Sequence, residues 1–385
     1  MNPLSRLIAL PYAEKKSRGL LYTPAEIAQQ PQTWQATHRA FSEARGELAN
    51  FLRAAREECW TVFLVGAGTS DYIGRSLAPL LRQQWQTEVM AVASTDLLEG
   101  REDYLVEGKK YLWISFSRSG DSPEGVATLE QALASCANVR HLVVSCNPAG
   151  RMVSVAKGSQ NALAVVLDDA VNDRSLAMTS SFTNMLLFGQ LLANLWTPEG
   201  FDDTLQHMTA AAEYVLQAGS YLAEELAAER NRMACFVGAG ALAGAAKESG
   251  LKLTELTGGR VVALTETTLG LRHGPMSALN QETVFTAYVS GGEKRRKYDV
   301  DLVREVSAKD VVDTIVCVGT EEKEADHSLY CDAFHGIGDA YRPLVDVIFG
   351  QLLGLFSSIE LGLKPDSPSP AGVISRVVPR FTIYP

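Results

Sequence analysis

The sequence predicts an α/β protein of two tandem domains, each a doubly wound parallel β-sheet in an αβα sandwich. The first observation is an internal repeat: three apolar segments recur at one offset of 172 residues, the distance from Gly66 to Gly238. The pairs are VFLVGAG at 62–68 with ACFVGAG at 234–240, YLWISFS from 111 with TVFTAYVS from 283, and VRHLVVSCN from 139 with VVDTIVCVG from 311. The second observation is that these runs alternate with amphipathic stretches, as buried parallel strands alternate with crossover helices.

Each element of the first repeat follows from this alternation. Strand-like runs lie near 62–66, 89–93, 111–116, 140–145 and 162–167, and helical patterns near 70–83, 122–135 and 176–196. Residues 1–55 are expected to form a helical lead-in with breaks at Pro24 and Pro31. The repeat then predicts a first domain at 56–200 and a second at 201–385. In a doubly wound (flavodoxin-like) domain, the ligand crevice lies beyond the carboxyl ends of the strands.

The composition is that of a globular protein, since 46% of the 385 residues are hydrophobic and 21% are charged. The net charge of −10 argues against a nucleic-acid partner, because such proteins carry a basic surface. It does not exclude an anionic small molecule, since backbone amides and helix N-termini can hold a phosphate.

Cysteines and apolar stretches indicate the compartment. The six cysteines include no C-x-x-C pair, which indicates buried thiols in a reducing compartment and neither a disulfide framework nor a zinc site. The start, MNPLSRLIALPYAEKK, lacks the apolar core of a signal peptide. The most apolar stretch, 344–363, is interrupted by Asp346, Gln351 and Glu360, so a buried helix is favoured over a membrane span. We expect a cytoplasmic protein without a membrane partner.

Two strand-to-helix loops of the first repeat carry hydroxyl groups suited to a phosphate. In the loop GAGTSDYIGRS at 66–76, Thr69 and Ser70 follow two glycines at the start of a helix. A tight turn that binds no ligand would show the same pattern. The loop SFSRSGDSPEG at 115–125 is denser. Its candidate ligand-binding side chains are Ser117, Arg118, Ser119 and Ser122. One helix cap needs one serine, so this density indicates an anion site.

The second repeat has no equivalent of this serine-rich loop. At the corresponding position it has VSGGEKRRKYD at 289–299. We interpret its basic cluster, Lys294–Lys297, as a solvent-facing helix surface. One phosphate site per chain is therefore expected, in the first repeat.

Candidate acid–base residues lie in the second repeat. Glu248, Lys252 and Glu255 occupy positions i, i+4 and i+7 of one helical stretch and share a face. An ordinary salt-bridged helix surface has the same pattern, and this is our interpretation of Glu248. His273 precedes Gly-Pro in an otherwise apolar segment, where a lone histidine is more often structural than catalytic.

The pairing of GAGTS with S-x-S-G-D-S resembles the sugar isomerase (SIS) domains that bind phosphosugars, and the similarity covers roughly residues 50–385. A familiar member is the isomerase half of glucosamine-6-phosphate synthase, with its C-G-T-S and S-Q-S-G-E-T loops. The resemblance implies that phosphate and sugar contacts come from Thr69, Ser70, Ser117, Arg118, Ser119 and Ser122. Arg118 stands where that relative has glutamine, and Ser122 where it has threonine.

The same resemblance implies roles for the acid–base residues. L-K-L-T-E-L resembles the synthase helix L-K-L-K-E-I, and R-H-G-P resembles its K-H-G-P. By that resemblance Glu255 moves a proton between C1 and C2 of the open-chain sugar, His273 opens the ring, and Lys252 orients the carboxylate or contacts the ligand. A glutamate and a histidine suit these steps because proteins tune both to exchange protons near neutral pH. Such a route needs no metal and no organic cofactor.

The tail departs from the synthase, because Val373 stands where the synthase has a lysine, and the ammonia-generating half has no counterpart here. DDAVNDRSLAMTSSFTNMLL at 168–187 and GVISRVV in the tail resemble AgaS-type galactosamine-6-phosphate deaminase/isomerases, also labelled tagatose-6-phosphate ketose/aldose isomerases. This resemblance implies conversion of galactosamine 6-phosphate to tagatose 6-phosphate and ammonia. It also implies a homodimer or larger homo-oligomer, in which His273 reaches the phosphate loop of a second subunit.

Two alternative functions stay open at this point. One is ketose/aldose phosphate isomerisation by the same residues with no nitrogen lost. The other is a phosphosugar-binding regulator that does no chemistry, for which an acid–base pair would be superfluous.

Overall fold

Two parallel β-sheets organise the chain, which a computed structural model describes over residues 1–369 and 371–384. The first sheet contains β1 (Thr61–Gly66), β2 (Val89–Ala93), β3 (Tyr111–Ser117), β4 (Val139–Ser145) and β5 (Ala162–Val166). The second contains β6 (Met233–Gly238), β7 (Val262–Thr267), β8 (Thr283–Tyr288), β9 (Thr314–Val318) and β10 (His327–Leu329). Their orders, β2-β1-β3-β4-β5 and β7-β6-β8-β9-β10, are both the flavodoxin-like order 2-1-3-4-5. The predicted fold class is confirmed.

The apolar runs form central strands because a parallel sheet is covered on both faces. Every residue of β1, β3, β6, β8 and β9 is buried, whereas β5, at the edge of its sheet, is half-buried along its length. The 172-residue offset links strand starts directly: β1 begins at Thr61 and β6 at Met233, and β3 begins at Tyr111 and β8 at Thr283.

The helices are α1 (Pro3–Ile8), α2 (Tyr12–Arg18), α3 (Thr23–Ala28), α4 (Gln30–Glu57), α5 (Thr69–Trp85), α6 (Ser94–Gly100), α7 (Pro123–Ser135), α8 (Arg151–Lys157), α9 (Ser180–Ala193), α10 (Phe201–Ala228), α11 (Leu242–Thr257), α12 (Glu293–Lys309) and α13 (Pro343–Glu360). Pro24 and Pro31 lie in the first turns of α3 and α4, where a missing N–H is tolerated. The third predicted helix starts at Ser180 instead of 176, because the Asp173 carboxylate caps it there by accepting from the amide and hydroxyl of Ser181.

The chain folds into two compact units, one around each sheet. The first-sheet unit comprises Gln32–Asp173, Ser180–Pro198 and the chain from Ile374, and the second-sheet unit comprises Met1–Pro31, Arg174–Thr179 and Glu199–Val373. The helical lead-in is thereby divided, since α1 to α3 belong to the second-sheet unit and almost all of α4 to the first-sheet unit. The bounds 1–55, 56–200 and 201–385 divide the sequence by its repeat and stay a prediction.

Aromatic side chains dominate part of the core of the first-sheet unit. Phe63 stacks on Trp113 with ring centroids 6.1 Å apart, and His141 meets the Trp113 ring edge-on at 5.3 Å. His141 is completely buried, and neither of its ring nitrogens has a hydrogen-bond partner among the described residues. This burial lowers the pKa of His141 to about 4, because an imidazolium loses its hydration there.

Helix α13 is the buried centre of the second-sheet unit and packs on α10 and α11. Two glycines permit the close approach to α11: a Cβ on Gly350 would lie 2.3 Å from the Cβ of Ser249, and one on Gly354 would lie 2.8 Å from Leu256. Among the described residues α13 is the one helix long and apolar enough to cross a membrane, and 89% of it is buried inside the fold. The buried helix predicted at 344–363 is therefore confirmed.

Candidate active site

The turn between β1 and α5 presents two buried hydroxyl-bearing residues. Gly66 is required by close packing, since a Cβ there would lie 2.4 Å from the Ser70 carbonyl carbon. Gly68 has φ +56°, a conformation that side-chain-bearing residues rarely adopt. Thr69 and Ser70 follow in the first turn of α5 and are both buried. The turn thus carries hydroxyl groups to the carboxyl edge of the first sheet, at a helix N-terminus.

The loop between β3 and α7 folds back on its own serines. The Ser117 hydroxyl accepts the Gly120 amide at 3.0 Å, and the Ser119 hydroxyl accepts the Asp121 amide at 3.2 Å. Gly120 itself has φ +66°. Ser122 is the N-cap residue of α7, yet within the described chain its hydroxyl makes no capping bond to the helix amides. A cap therefore does not account for the serines of this loop.

The neighbouring β4–α8 loop supports the serine loop from the side. Asn147 donates its amide group to the Ser119 carbonyl at 2.8 Å, and the Met152 amide donates to the Gly120 carbonyl at 2.9 Å. The Arg151 amide donates to the Asp121 carboxylate at 2.9 Å. Asn147 and Asp121 were not among the predicted site residues. The sequence marks them only by position: Asn147 lies in the segment C-N-P-A-G directly after a buried strand, and Asp121 directly follows Ser119-Gly120.

Arg118 binds the C-terminal segment of the same unit. Its guanidinium donates to the Arg376 carbonyl at 2.6 Å, and only 6% of the residue is exposed. The Cys146 thiol lies among these charges: burial and Asp173 raise its pKa, while Arg118 and Arg376 lower it. Arg118 thus lies in the predicted phosphate loop, and its Nη2 is hydrogen-bonded to the C-terminal segment.

Glu124 is a further buried carboxylate in the first turn of α7. It is 5% exposed, and its Oε2 has no hydrogen-bond partner among the described residues. Glu124 was not among the predicted site residues.

Helix α11 carries the predicted acid–base carboxylate in the second-sheet unit. Lys252 lies between two carboxylates: its Nζ is 3.4 Å from Glu248 Oε1 and hydrogen-bonds Glu255 Oε2. The side chains of Glu248 and Lys252 are fully buried, whereas that of Glu255 is 21% exposed. The interpretation of Glu248 as a helix surface is wrong, because α11 is covered at this face. Glu255 is the member of the row that a ligand can reach.

His273 is presented on the surface by anchored neighbours. It ends a 3₁₀ turn, Gly270–His273, and is followed by Gly274 with φ +125°. Leu271 is fully buried, and Arg272 pairs with Glu305 of α12 at 2.6 Å, so the two residues before the exposed imidazole hold the turn in place.

The second-sheet unit does not bring Glu255 and His273 together. His273 follows the carboxyl end of β7, whereas α11 begins at the carboxyl end of β6 and runs back beside the sheet. Glu255 is 13 residues after Leu242, so it lies about 20 Å along the helix from that edge. The two residues therefore lie at opposite ends of one sheet.

The corresponding edge of the second sheet has no open serine loop. After β8, the Asp339 carboxylate accepts the Gly291 amide at 2.7 Å and the Ser290 hydroxyl. The chain's own carboxylate thus occupies this turn. The basic cluster Lys294–Lys297 is largely exposed on the first turns of α12, as predicted for a helix surface.

Two flavodoxin-like sheets, with serine-bearing turns at the edge of the first and a buried Glu–Lys–Glu row beside the second, are the architecture of two tandem SIS domains. The chain matches no protein-family model. It is 37% identical to an AgaS protein of Streptomyces coelicolor over 371 residues, 94% of this chain and 95% of that protein. It is 33% identical over 371 residues to D-galactosamine-6-phosphate deaminase AgaS of Escherichia coli, covering 94% and 96%.

A solved structure agrees with these relatives. The tagatose-6-phosphate ketose/aldose isomerase from Escherichia coli superposes with a TM-score of 0.85 at 31% identity, covering 94% of this chain and 96% of that one. A glutamine–fructose-6-phosphate aminotransferase of Pyrobaculum aerophilum is 26% identical over 355 residues, 89% of this chain and 55% of that protein. The chain belongs to the AgaS family.

Proposed function

We propose that this protein is an amino-sugar phosphate deaminase/isomerase, which converts galactosamine 6-phosphate to tagatose 6-phosphate and ammonia. The observation that carries the proposal is the row on α11, where buried Lys252 binds the partly exposed carboxylate of Glu255. A carboxylate oriented in this way can take a proton from a bound carbon acid. The names of the AgaS relatives support the substrate and the loss of nitrogen.

The serine loops hold the phosphate of this substrate. Ser117, Ser119 and Ser122 supply hydroxyl donors, and Thr69 and Ser70 supply two more at the start of α5. Hydrogen bonds to an ionised phosphate are charge-assisted and about twice as strong as neutral ones. Phosphate binding therefore anchors the sugar and leaves C1 and C2 for the acid–base groups.

The chemistry is a proton transfer followed by hydrolysis. His273 transfers a proton to the ring oxygen while the anomeric hydroxyl loses its proton, so the bond from C1 to the ring oxygen breaks and the aldehyde forms. Glu255 then removes the C2 proton of this aldehyde. The electron pair of that C–H bond forms the C1–C2 double bond, the π pair of the carbonyl moves to O1, which takes up a proton, and the product is an enolamine. Return of a proton to C1 gives the C2 imine, and water adds to the imine to release ammonia and the ketose phosphate. Atoms balance: one water enters and one ammonia leaves.

Glu255→Gln tests the proposal because an amide cannot accept the C2 proton. We expect phosphosugar binding to persist while both ammonia release and exchange of the C2 proton with solvent are lost. Glu225→Gln is the matched control, since Glu225 is an exposed glutamate of α10 in the same unit. Full turnover by Glu255→Gln would show that another residue is the base.

An isomerase without deamination is the competing function, favoured by the name of the solved Escherichia coli structure. A coupled ammonia assay over a panel of amino-sugar 6-phosphates, with NMR of the products, separates the two. Conversion of tagatose 6-phosphate to an aldose, with no ammonia from any amino sugar, would decide for the isomerase. Binding of phosphosugar with neither reaction would decide for a regulator.

We propose that the protein is a homodimer or larger homo-oligomer in which His273 acts on a site of the partner subunit. The separation of Glu255 and His273 along one sheet supports this, because one chain offers them at different ends. The test mixes two variants that are each expected to be inactive, Glu255→Gln and His273→Asn. If the site is shared, about a quarter of the wild-type rate returns, since half of randomly mixed dimers are hybrids with one intact site. No recovery after verified subunit exchange would place both groups in one chain.

We propose a cytoplasmic location and a small-molecule partner, without nucleic acid or membrane. All six cysteines are free thiols, as is usual in a reducing compartment. Only Cys146, Cys235 and Cys317 are buried, so the prediction that all six are buried is wrong. The net charge of −10 repels nucleic acid. Recovery of the protein in the membrane or extracellular fraction of its source cells would contradict this proposal.

A further inference from the structure

The C-terminal segment of the first-sheet unit has no helix or strand, and most of its side chains are exposed. Ile374 is 44% exposed, Phe381 51% and Tyr384 79%. Arg376 is an exception, since it is half-buried and forms several hydrogen bonds within the first-sheet unit. An extended segment that buries so little apolar surface depends on such polar anchors for its position.

The Arg376 guanidinium binds the corner between β5 and α9. Its Nε donates to the Asp173 carbonyl at 2.7 Å, and its Nη2 donates to the Asn172 side-chain oxygen at 2.6 Å. The corner is itself rigid, because the buried Asp173 carboxylate accepts the Ser180 hydroxyl and the Ser181 amide at the start of α9. Arg376 therefore attaches the tail to a fixed point of the unit.

The tail in turn holds Arg118. The backbone carbonyl of Arg376 accepts the Arg118 guanidinium at 2.6 Å. Arg118 lies between Ser117 and Ser119 in the proposed phosphate loop and is almost fully buried. A continuous series of hydrogen bonds thus connects Asn172 and Asp173, through Arg376, to the loop that would surround the phosphate.

We infer that Arg376 is a positioning residue for phosphate binding: it holds the tail so that its carbonyl orients Arg118 in the serine loop. The inference rests on the proposed function, because it assigns a role in that same site. Without the anchor, the tail carbonyl leaves Arg118, and the arginine side chain regains rotamer freedom that phosphate binding must then remove. Phosphate affinity falls, while the groups that move the protons are untouched.

The experiment measures binding of inorganic phosphate to the full chain by calorimetry, together with KM and kcat for the sugar phosphate. For Arg376→Ala we expect about tenfold or greater weakening of phosphate binding and a matching rise in KM, with kcat changed far less. Arg380→Ala is the control, because Arg380 is exposed four residues further along the same tail. It is expected to bind phosphate as the wild type does.

Asn172→Ala keeps the inference testable should Arg376→Ala fail to fold. It removes one acceptor of the anchor and leaves the arginine in place, so an intermediate loss of phosphate affinity is expected. Phosphate affinity within twofold of wild type in both folded variants would overturn the inference.

Ser119→Ala separates this inference from the proposed function. Unchanged phosphate affinity in Ser119→Ala would place the anion elsewhere and overturn both. A weakened Ser119→Ala beside an unchanged Arg376→Ala would overturn the role of Arg376 alone.

Discussion

Replacing Lys252 by methionine tests the buried charge row on α11 most directly. Methionine is close to lysine in length, so the change removes a charge and leaves little cavity. Lys252 and Glu248 are both fully buried and 3.4 Å apart, so solvent does not screen their interaction. Removing one member of such a pair leaves an uncompensated buried charge, which typically costs 3–5 kcal/mol. We therefore expect Lys252→Met to lower the free energy of unfolding by about 3–5 kcal/mol.

The second-site change Glu248→Gln shows whether the stranded carboxylate is the cause. In Lys252→Met/Glu248→Gln no buried charge remains at that position, so a large part of the loss is expected to return. A double-mutant cycle compares the urea unfolding of the wild type, Lys252→Met, Glu248→Gln and the double variant, and measures the coupling free energy between the two residues. The Glu255 pair contributes less to this cost, because its carboxylate is 21% exposed and partly hydrated.

Lys297→Met is the matched control for this cycle. Lys297 pairs with Glu293 at 2.7 Å, also at i,i+4, but the two side chains are 72% and 85% exposed. Exposed pairs contribute about 0–1 kcal/mol, so this variant is expected to unfold close to the wild type. A Lys252→Met variant no less stable than Lys297→Met would contradict the cost assigned to the buried charge, and so would a double variant as unstable as Lys252→Met alone.

Three further predictions concern binding, specificity and pH. Ser119→Ala is expected to weaken binding of inorganic phosphate by about 1–3 kcal/mol, since a charge-assisted hydrogen bond is lost; calorimetry measures it, and unchanged binding would contradict it. N-acetylgalactosamine 6-phosphate is expected to be a poor substrate, because its amide cannot form the imine; ammonia or acetamide release at the rate of the free amine would refute this. The pKa of His141 is about 4 in the fold against about 6.5 unfolded, so the unfolded chain binds the proton first. The free energy of unfolding therefore falls as pH drops from 6.5 to 4, by about 2 kcal/mol at pH 5 relative to pH 8. His141→Leu is expected to remove that part of the slope, and an unchanged slope in urea unfolding would show that other groups cause it.

The sequence alone determined the two sheets and the candidate loops. Apolar β-branched runs are properties of neighbouring residues, and the repeat at 172 residues compares two sets of such runs. Together they predicted the central strands to within three residues. The glycine and serine turns after β1 and β3 were also visible, because a strand-to-helix turn takes its residues from one short segment. These are local signals, and local sequence was sufficient for them.

The tertiary structure decided which side chains are buried and which distant residues meet. Glu248 and Glu255 share one helical face in the sequence, yet one is fully buried and the other is partly exposed, because α11 packs against α13. Arg376 binds Asp173, 203 residues earlier in the chain, and its sequence neighbours give no sign of that contact. The physical reason is that burial and long-range hydrogen bonds depend on how whole elements pack, and no periodicity within a single segment encodes that packing.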